Sequence, residues 1–126
     1  MDPSEDNALT GRVIGCAIEV HHHLGPGLLE RIYEDALCHE LALSGIRFAR
    51  QQPIKVTYKD HALDCEFVMD VVVERSLVLE IKAVTAIHPI HEAQLLTYLR
   101  VSGLPLGLLL NFNEIRLKDG IRRRRN

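Results

Sequence analysis

The stretch Val68 to Val84 constrains this chain more than any other. It reads as two apolar strands joined by a short polar turn, with Asp70, Glu80 and Lys82 set inside the apolar runs. A charge in a buried strand is costly, so it must be paired, bound to a metal or used in chemistry. The strands, about Phe67 to Val73 and Leu77 to Val84, are rich in β-branched residues and almost continuously apolar. Strands covered on both faces have that composition.

The turn decides whether the three charges meet. Glu80 and Lys82 are two apart and share a face. With Arg75 at the centre of a three-residue loop, Glu74-Arg75-Ser76, Asp70 lies opposite Glu80. A two-residue loop at Arg75-Ser76 puts Asp70 opposite Ile81 instead, on the wrong face.

Two carboxylates converging from adjacent strands suit a hard cation. Mg²⁺ takes oxygen ligands in an octahedron and keeps several waters. Asp70, Glu80 and one backbone carbonyl, that of Ile81, leave room for water and a substrate phosphate. A divalent cation lowers the pKa of water it binds, which improves the nucleophile. Lys82 beside it can orient that water or stabilise charge developing on phosphate. The competing reading is a buried salt bridge of Lys82 with Glu80 or Asp70, which leaves one carboxylate over.

Taken in order, the chain opens with a loose lead-in over residues 1–7. Apolar residues at helical spacing then predict a helix from about Ala8 to Leu24, stopped by Gly25-Pro26-Gly27. A second helix runs from about Leu28 to Leu43, with Glu30 and Tyr33 on one face near its start. Phe48 to Gln52 and Ile54 to Tyr58 read as strands, and Pro53 between them marks an edge or a kink. Lys59-Asp60 is a turn, and Ala62 to Glu66 leads into the central hairpin. Pro89 opens a helix reaching about Ser102. Leu104 to Asn111 is a further strand, and Glu114 to Lys118 pairs with Ile121 to Arg124 across Asp119-Gly120. The order α-α-β-β-β-β-α-β-β describes an α/β (α+β) fold, a mixed sheet with helices packed on it. At 126 residues, one domain spans residues 1–126.

The third helix carries a polar stripe, His91, Gln94 and Tyr98, at i, i+3, i+7. Gln94 and Tyr98 can hold a DNA strand or position Lys82; the alternative is a solvent-facing stripe. Glu30 can reach a cation directly or through water, or it is an acidic residue favoured by the helix dipole. In His21-His22-His23, adjacent side chains project about 100° apart, so the three cannot share one ion and read as a helix-end surface.

Several function classes are excluded. No run of about 18 apolar residues exists, so no membrane partner is expected. The polar, acidic start is unlike a signal peptide, and Cys16, Cys38 and Cys65 form no C-x-x-C pair. Both observations fit a cytoplasmic protein with reduced thiols. No G-x-S-x-G elbow and no Gly-rich phosphate loop occurs. The formal net charge of −2 does not announce a nucleic-acid binder. The distribution is more telling: Arg47, Arg50, Lys55 and Lys59 precede the central strands, and Arg122 to Arg125 end the chain, as a phosphate-contacting patch or a solvated tail.

Assembled, these residues resemble the GxxExxY family of the PD-(D/E)xK nuclease superfamily. The name motif stands as Gly27-Leu28-Leu29-Glu30-Arg31-Ile32-Tyr33, and the D…(D/E)xK core matches Asp70 with Glu80-Ile81-Lys82. Gln94-Leu95-Leu96-Thr97-Tyr98 is similar to the Q-x-x-x-Y motif of nucleases associated with recombination helicases, and Gly107 to Phe112 resembles the family's terminal strand. Met69 stands where the superfamily motif has proline. The resemblance covers about Thr10 to Arg124 and implies a restriction-endonuclease-like core. It implies Asp70 and Glu80 as metal ligands, Lys82 as catalytic lysine, Glu30 as the acidic residue from the helix, and Gln94 and Tyr98 as accessory groups.

Two functions follow from this reading. One is a Mg²⁺- or Mn²⁺-dependent nuclease acting on DNA in repair, recombination or defence, with a homodimer or larger partner helping to grip the substrate. The other is a catalytically silent protein of the same fold that binds nucleic acid or protein. Retention of all six site residues argues against the second; the near-neutral charge argues for it.

Overall fold

A computed structural model describes residues 3–126. The expected lead-in is helix from Pro3 onward, so α1 spans Pro3–Leu24, while Met1 and Asp2 lie outside the described residues. Proline suits a first helical turn, where its missing N–H has no partner to lose. Helix α2 covers Glu30–Leu43. Strand β1 (Phe48–Tyr58) and strand β2 (His61–Val73) are each continuous, so the pieces expected on either side of Pro53 merge. Proline is accepted there because β1 is an edge strand. Strand β3 (Leu77–Lys82), helix α3 (Pro89–Ser102), strand β4 (Leu106–Asn111) and strand β5 (Ile121–Arg125) complete the chain.

The five-stranded sheet has the order β1-β2-β3-β4-β5. The β3–β4 pair is parallel and the others are antiparallel. Helices α1 and α2 cover one face, packing Val13, Ala17, Tyr33, Leu37 and Leu41 against Val71, Val73, Leu77, Leu79, Leu108 and Leu110. Helix α3 covers the other face through Leu95, Tyr98 and Leu99 over Val72, Val78 and Leu109. The mixed sheet flanked by helices is the expected fold class. Gly107 suits this packing: a Cβ on it would stand 2.8 Å from the Leu95 side chain, which would have to shift.

The C-terminal hairpin expectation is overturned. Leu117–Gly120 is a short 3-10 turn, and β5 pairs with β4 rather than with residues 114–118. Burial explains it, since Leu117 and Gly120 are both buried, Gly120 against the Asn111 backbone. The arginine run is therefore an edge strand and not a tail. Arg123 donates to Asn7 Oδ1 at 2.8 Å, and Arg124 is ion-paired with Glu92. Charged residues on such an edge discourage pairing with another chain.

Strand β2 pairs with β3 only over Val71–Val73, so its first residues form a two-stranded ribbon with β1. Cys65 is exposed on that ribbon, unlike the buried Cys16 and Cys38. Among the described residues no helix is long and apolar enough to cross a membrane.

Candidate active site

The register that decides the site has Arg75 at its centre: Val71 pairs with Leu79, Val72 with Val78, and Val73 with Leu77. Glu74 and Arg75 both adopt left-handed backbone, φ 50° and 56°, which closes the three-residue turn. The Arg47 N–H donates to Glu74 Oε1 at 2.9 Å and pins that turn to the start of β1. Continued by one step, the register sets Asp70 across from Glu80.

There the two strands part. In place of a backbone ladder pair, Asp70 Oδ2 accepts the Ile81 N–H at 2.9 Å, and Glu80 Oε1 lies 3.5 Å from the Asp70 N–H. The carboxylates themselves fill the fork between β2 and β3. Alternation in β2 also slips at this point. Phe67 and Met69 pack toward α3, and so does Val72, while Val71 and Val73 pack toward α1 and α2.

Glu80 is only 3% exposed. Burial, and then the neighbouring Asp70 charge, push its carboxyl up to about 8. Asp70 is also raised, mainly by burial and against the Ile81 hydrogen bond; the charges of Glu34 and Glu30 add to it. Among the described residues, neither carboxylate lies within ion-pair distance of a cationic side chain.

Lys82 does not form the competing salt bridge. Its Nζ donates to Gln94 Oε1 at 3.3 Å, and Gln94 Nε2 donates to Tyr98 Oη at 2.9 Å. The lysine can only donate, which fixes the amide oxygen toward it and leaves the NH2 end for Tyr98. The Tyr98 ring stacks on Phe67 with centroids 4.4 Å apart. Tyr98 is raised above its ordinary pKa by burial and by the Glu80 and Asp70 charges. Lys82, Gln94 and Tyr98 thus form one chain of contacts, whereas His91 stands outside it. His91 Nδ1 accepts the His88 N–H at 2.9 Å, capping α3.

A cleft of about 430 Å³ opens beside the fork, lined by Glu30, Arg31, Glu34, Arg50, Gln51, Asp70, Ile81 and Lys82. The glycine-rich loop before α2 places Glu30 at its wall. Tyr33 Oη donates to the Gly25 carbonyl at 2.6 Å and accepts the Leu28 N–H at 3.1 Å, and its ring stacks on Phe112. The tyrosine of the name motif is therefore a brace for the loop. The histidine triplet is a helix-end surface as expected, with His21 bonded to the Glu114 carbonyl and His23 to Glu19.

Sequence reasoning did not place four side chains that line the cleft, Arg31, Glu34, Arg50 and Gln51. Glu34, buried in α2, receives Arg50 at 2.6 Å and the Gln51 amide at 3.1 Å. Its signal was available, since it lies one helical turn beyond Glu30 on the same face. Arg50 was visible only as part of a basic cluster. Gln51 gave no signal, and Arg31 was visible only as the residue after Glu30.

The donor set fits a small divalent cation. Both carboxylates lack an ion-pair partner and are raised by burial, and the Asp70 charge adds to the rise at Glu80, a situation a cation relieves. Among the described residues no three His, Cys, Asp or Glu side chains converge as a metal cage. Such a cage is not what Mg²⁺ requires, because one or two carboxylates with water and phosphate suffice.

A family model described as the PD-(D/E)XK nuclease superfamily matches residues 7–124. No curated protein and no solved structure matches the chain.

Proposed function

Because the chain belongs to the PD-(D/E)XK nuclease superfamily, we propose that it hydrolyses phosphodiester bonds of DNA with Mg²⁺ or Mn²⁺, as a member of the GxxExxY group. One observation carries this reading: two carboxylates meet unpaired at the β2–β3 fork, with a lysine held beside them by Gln94 and not by either acid.

In this reading Asp70 and Glu80 hold the cation through carboxylate oxygens, with the Ile81 carbonyl beside them. Glu30 contributes from the cleft wall through water. The cation supplies Lewis-acid polarisation and a more acidic water. The residues do the rest. Lys82 carries its positive charge on the substrate side, where a phosphate gains negative charge as water adds to phosphorus and the P–O bond breaks. Donors fixed before the reaction are worth most, since they need no reorganisation when charge develops. Gln94 and Tyr98 provide that fixing for Lys82. Arg31 on the cleft wall attracts the nucleic-acid backbone.

The test is cleavage of a panel of linear, branched and single-stranded DNA and of RNA, with Mg²⁺, Mn²⁺ or EDTA. The expected result is cutting of DNA with either metal and none with EDTA. No metal-dependent cutting anywhere in the panel overturns the reading.

A further inference from the structure

Gln51 is not glycine, yet it lies in the middle of β1 with φ 51°. A left-handed residue inside a strand costs about 1–2 kcal/mol and persists only where its surroundings enforce it. Its position is specific. Arg50 pairs with Val71 and Gln52 with Met69, so the residue across from Gln51 is Asp70. The β1–β2 ladder skips this step and resumes in the same register, unlike the irregularity between Lys55 and Thr57, where the register shifts. The packing alternation of β2 slips at the same step, between Met69 and Val72.

The surroundings that enforce it are also present. Glu34 on α2 accepts the Gln51 amide at 3.1 and 3.3 Å through its two oxygens. It accepts Arg50 Nε at 3.2 Å and Nη2 at 2.6 Å, and Arg50 Nη2 reaches Asp35 at 2.6 Å. Hydrogen bonds to an ionised carboxylate are among the stronger ones. One buried side chain therefore grips β1 at the kink and at the residue before it. Without the kink, Asp70 would join the ladder with β1 and follow the regular alternation of its strand. With the kink, its carboxylate turns into the fork and accepts the Ile81 N–H.

We propose that the left-handed kink at Gln51, clamped by Glu34 and Arg50, is the device that positions Asp70, and that Gln51 is a positioning residue for the site. The inference rests on reading Asp70 as a working carboxylate, and it deepens that reading.

The experiment uses Gln51→Val, Gln51→Ala and Gln51→Gly in the full chain. Valine strongly disfavours positive φ, alanine less so, and glycine accepts it. Three quantities are read: hydrogen exchange of the Ile81 amide, Mn²⁺ affinity by calorimetry, and kcat and KM on a DNA the wild type cuts. Supporting groups around a metal site typically contribute about 10–100-fold to affinity or activity. In Gln51→Val, Ile81 protection, Mn²⁺ affinity and kcat should each fall about 10–100-fold, with KM changed by less than about 3-fold. Gln51→Ala should fall in the same direction and decides the matter if the valine variant folds poorly. Gln51→Gly loses the amide contact with Glu34 but adopts positive φ without strain and keeps the Arg50 clamp, so it should stay within about 3-fold of wild type, well below that range. Wild-type behaviour of both valine and alanine variants overturns the proposal, and so does an equal loss in all three. A wild type that neither cuts nor binds Mn²⁺ overturns the nuclease reading instead, and Ile81 exchange then still decides the kink.

Discussion

Around Val72 and Val78, strands β2 and β3 are in register, and the paired residues Val71–Val73 and Leu77–Leu79 are all apolar and buried. One step further along, around Asp70 and Glu80, the same two strands separate and carboxylates take up the backbone N–H groups. The first region is what a sheet interior normally is. The second breaks two rules at once: it buries acidic groups, and it gives up ladder hydrogen bonds. Such local violations are what a functional site costs a fold, and the intact region alongside supplies the stability to support it. The difference teaches that stability and proposed chemistry are separable here over a very short distance, so substitutions in the two regions should fail differently.

The largest separation is expected from Asp70→Asn. It removes one acid of the pair and keeps the shape, so cleavage should fall about 10³-fold, equivalent to about 4 kcal/mol of barrier. The melting temperature should hold or rise, because a half-buried charge without an ion-pair partner is gone. Kinetics and calorimetry on the same sample check both halves. A large loss of stability would erase the distinction between the regions.

Leu79→Ala is the mirror experiment. Leu79 is fully buried in the core under α1 and α2. Truncation should cost about 2–5 kcal/mol of stability, read by denaturant unfolding. Turnover per folded molecule should change far less than in Asp70→Asn.

A third prediction concerns pH. Folding raises the Glu80 carboxyl from 4.5 to about 8. Below the ordinary value both states are protonated and nothing is lost. As pH rises from there toward 8, the unfolded chain ionises first, so the metal-free fold loses stability, and the loss is complete above the folded value. Asp70, also raised, acts in the same direction. Unfolding measured across this range with EDTA should show that decline. Glu80→Gln should flatten it, and Mg²⁺ should oppose it on the alkaline side.

Much of this contrast was legible in the sequence. The apolar runs announced β3 and β4, and the charges inside them marked the candidate site. The turn at Arg75 supplied the one register in which Asp70 and Glu80 meet. Gln94 and Tyr98 were legible from helical spacing beside Lys82. What was not legible depended on contacts between distant segments. Gln51 looks like any polar strand residue, and only the grip of Glu34 across the cleft explains its backbone. The first half of the C-terminal hairpin, Glu114 to Lys118, is not a strand, although Asp119-Gly120 carries a genuine turn signal. Burial of Leu117 and Gly120, and the open edge of β4, overrode it. The start of α1 was placed late because its first residues are polar, and polarity alone does not prevent a helix.

The central claim is that the fork is a cation site served by Lys82, and not a buried ion pair. Cleavage by wild type and Lys82→Ala, side by side with Mn²⁺ and with both proteins shown to be folded, tests it most directly. The account predicts a wild type that cuts and a variant at least about 10²-fold slower, the scale set by losing one preorganised charge-stabilising group. Equal cutting by the two proteins would contradict it.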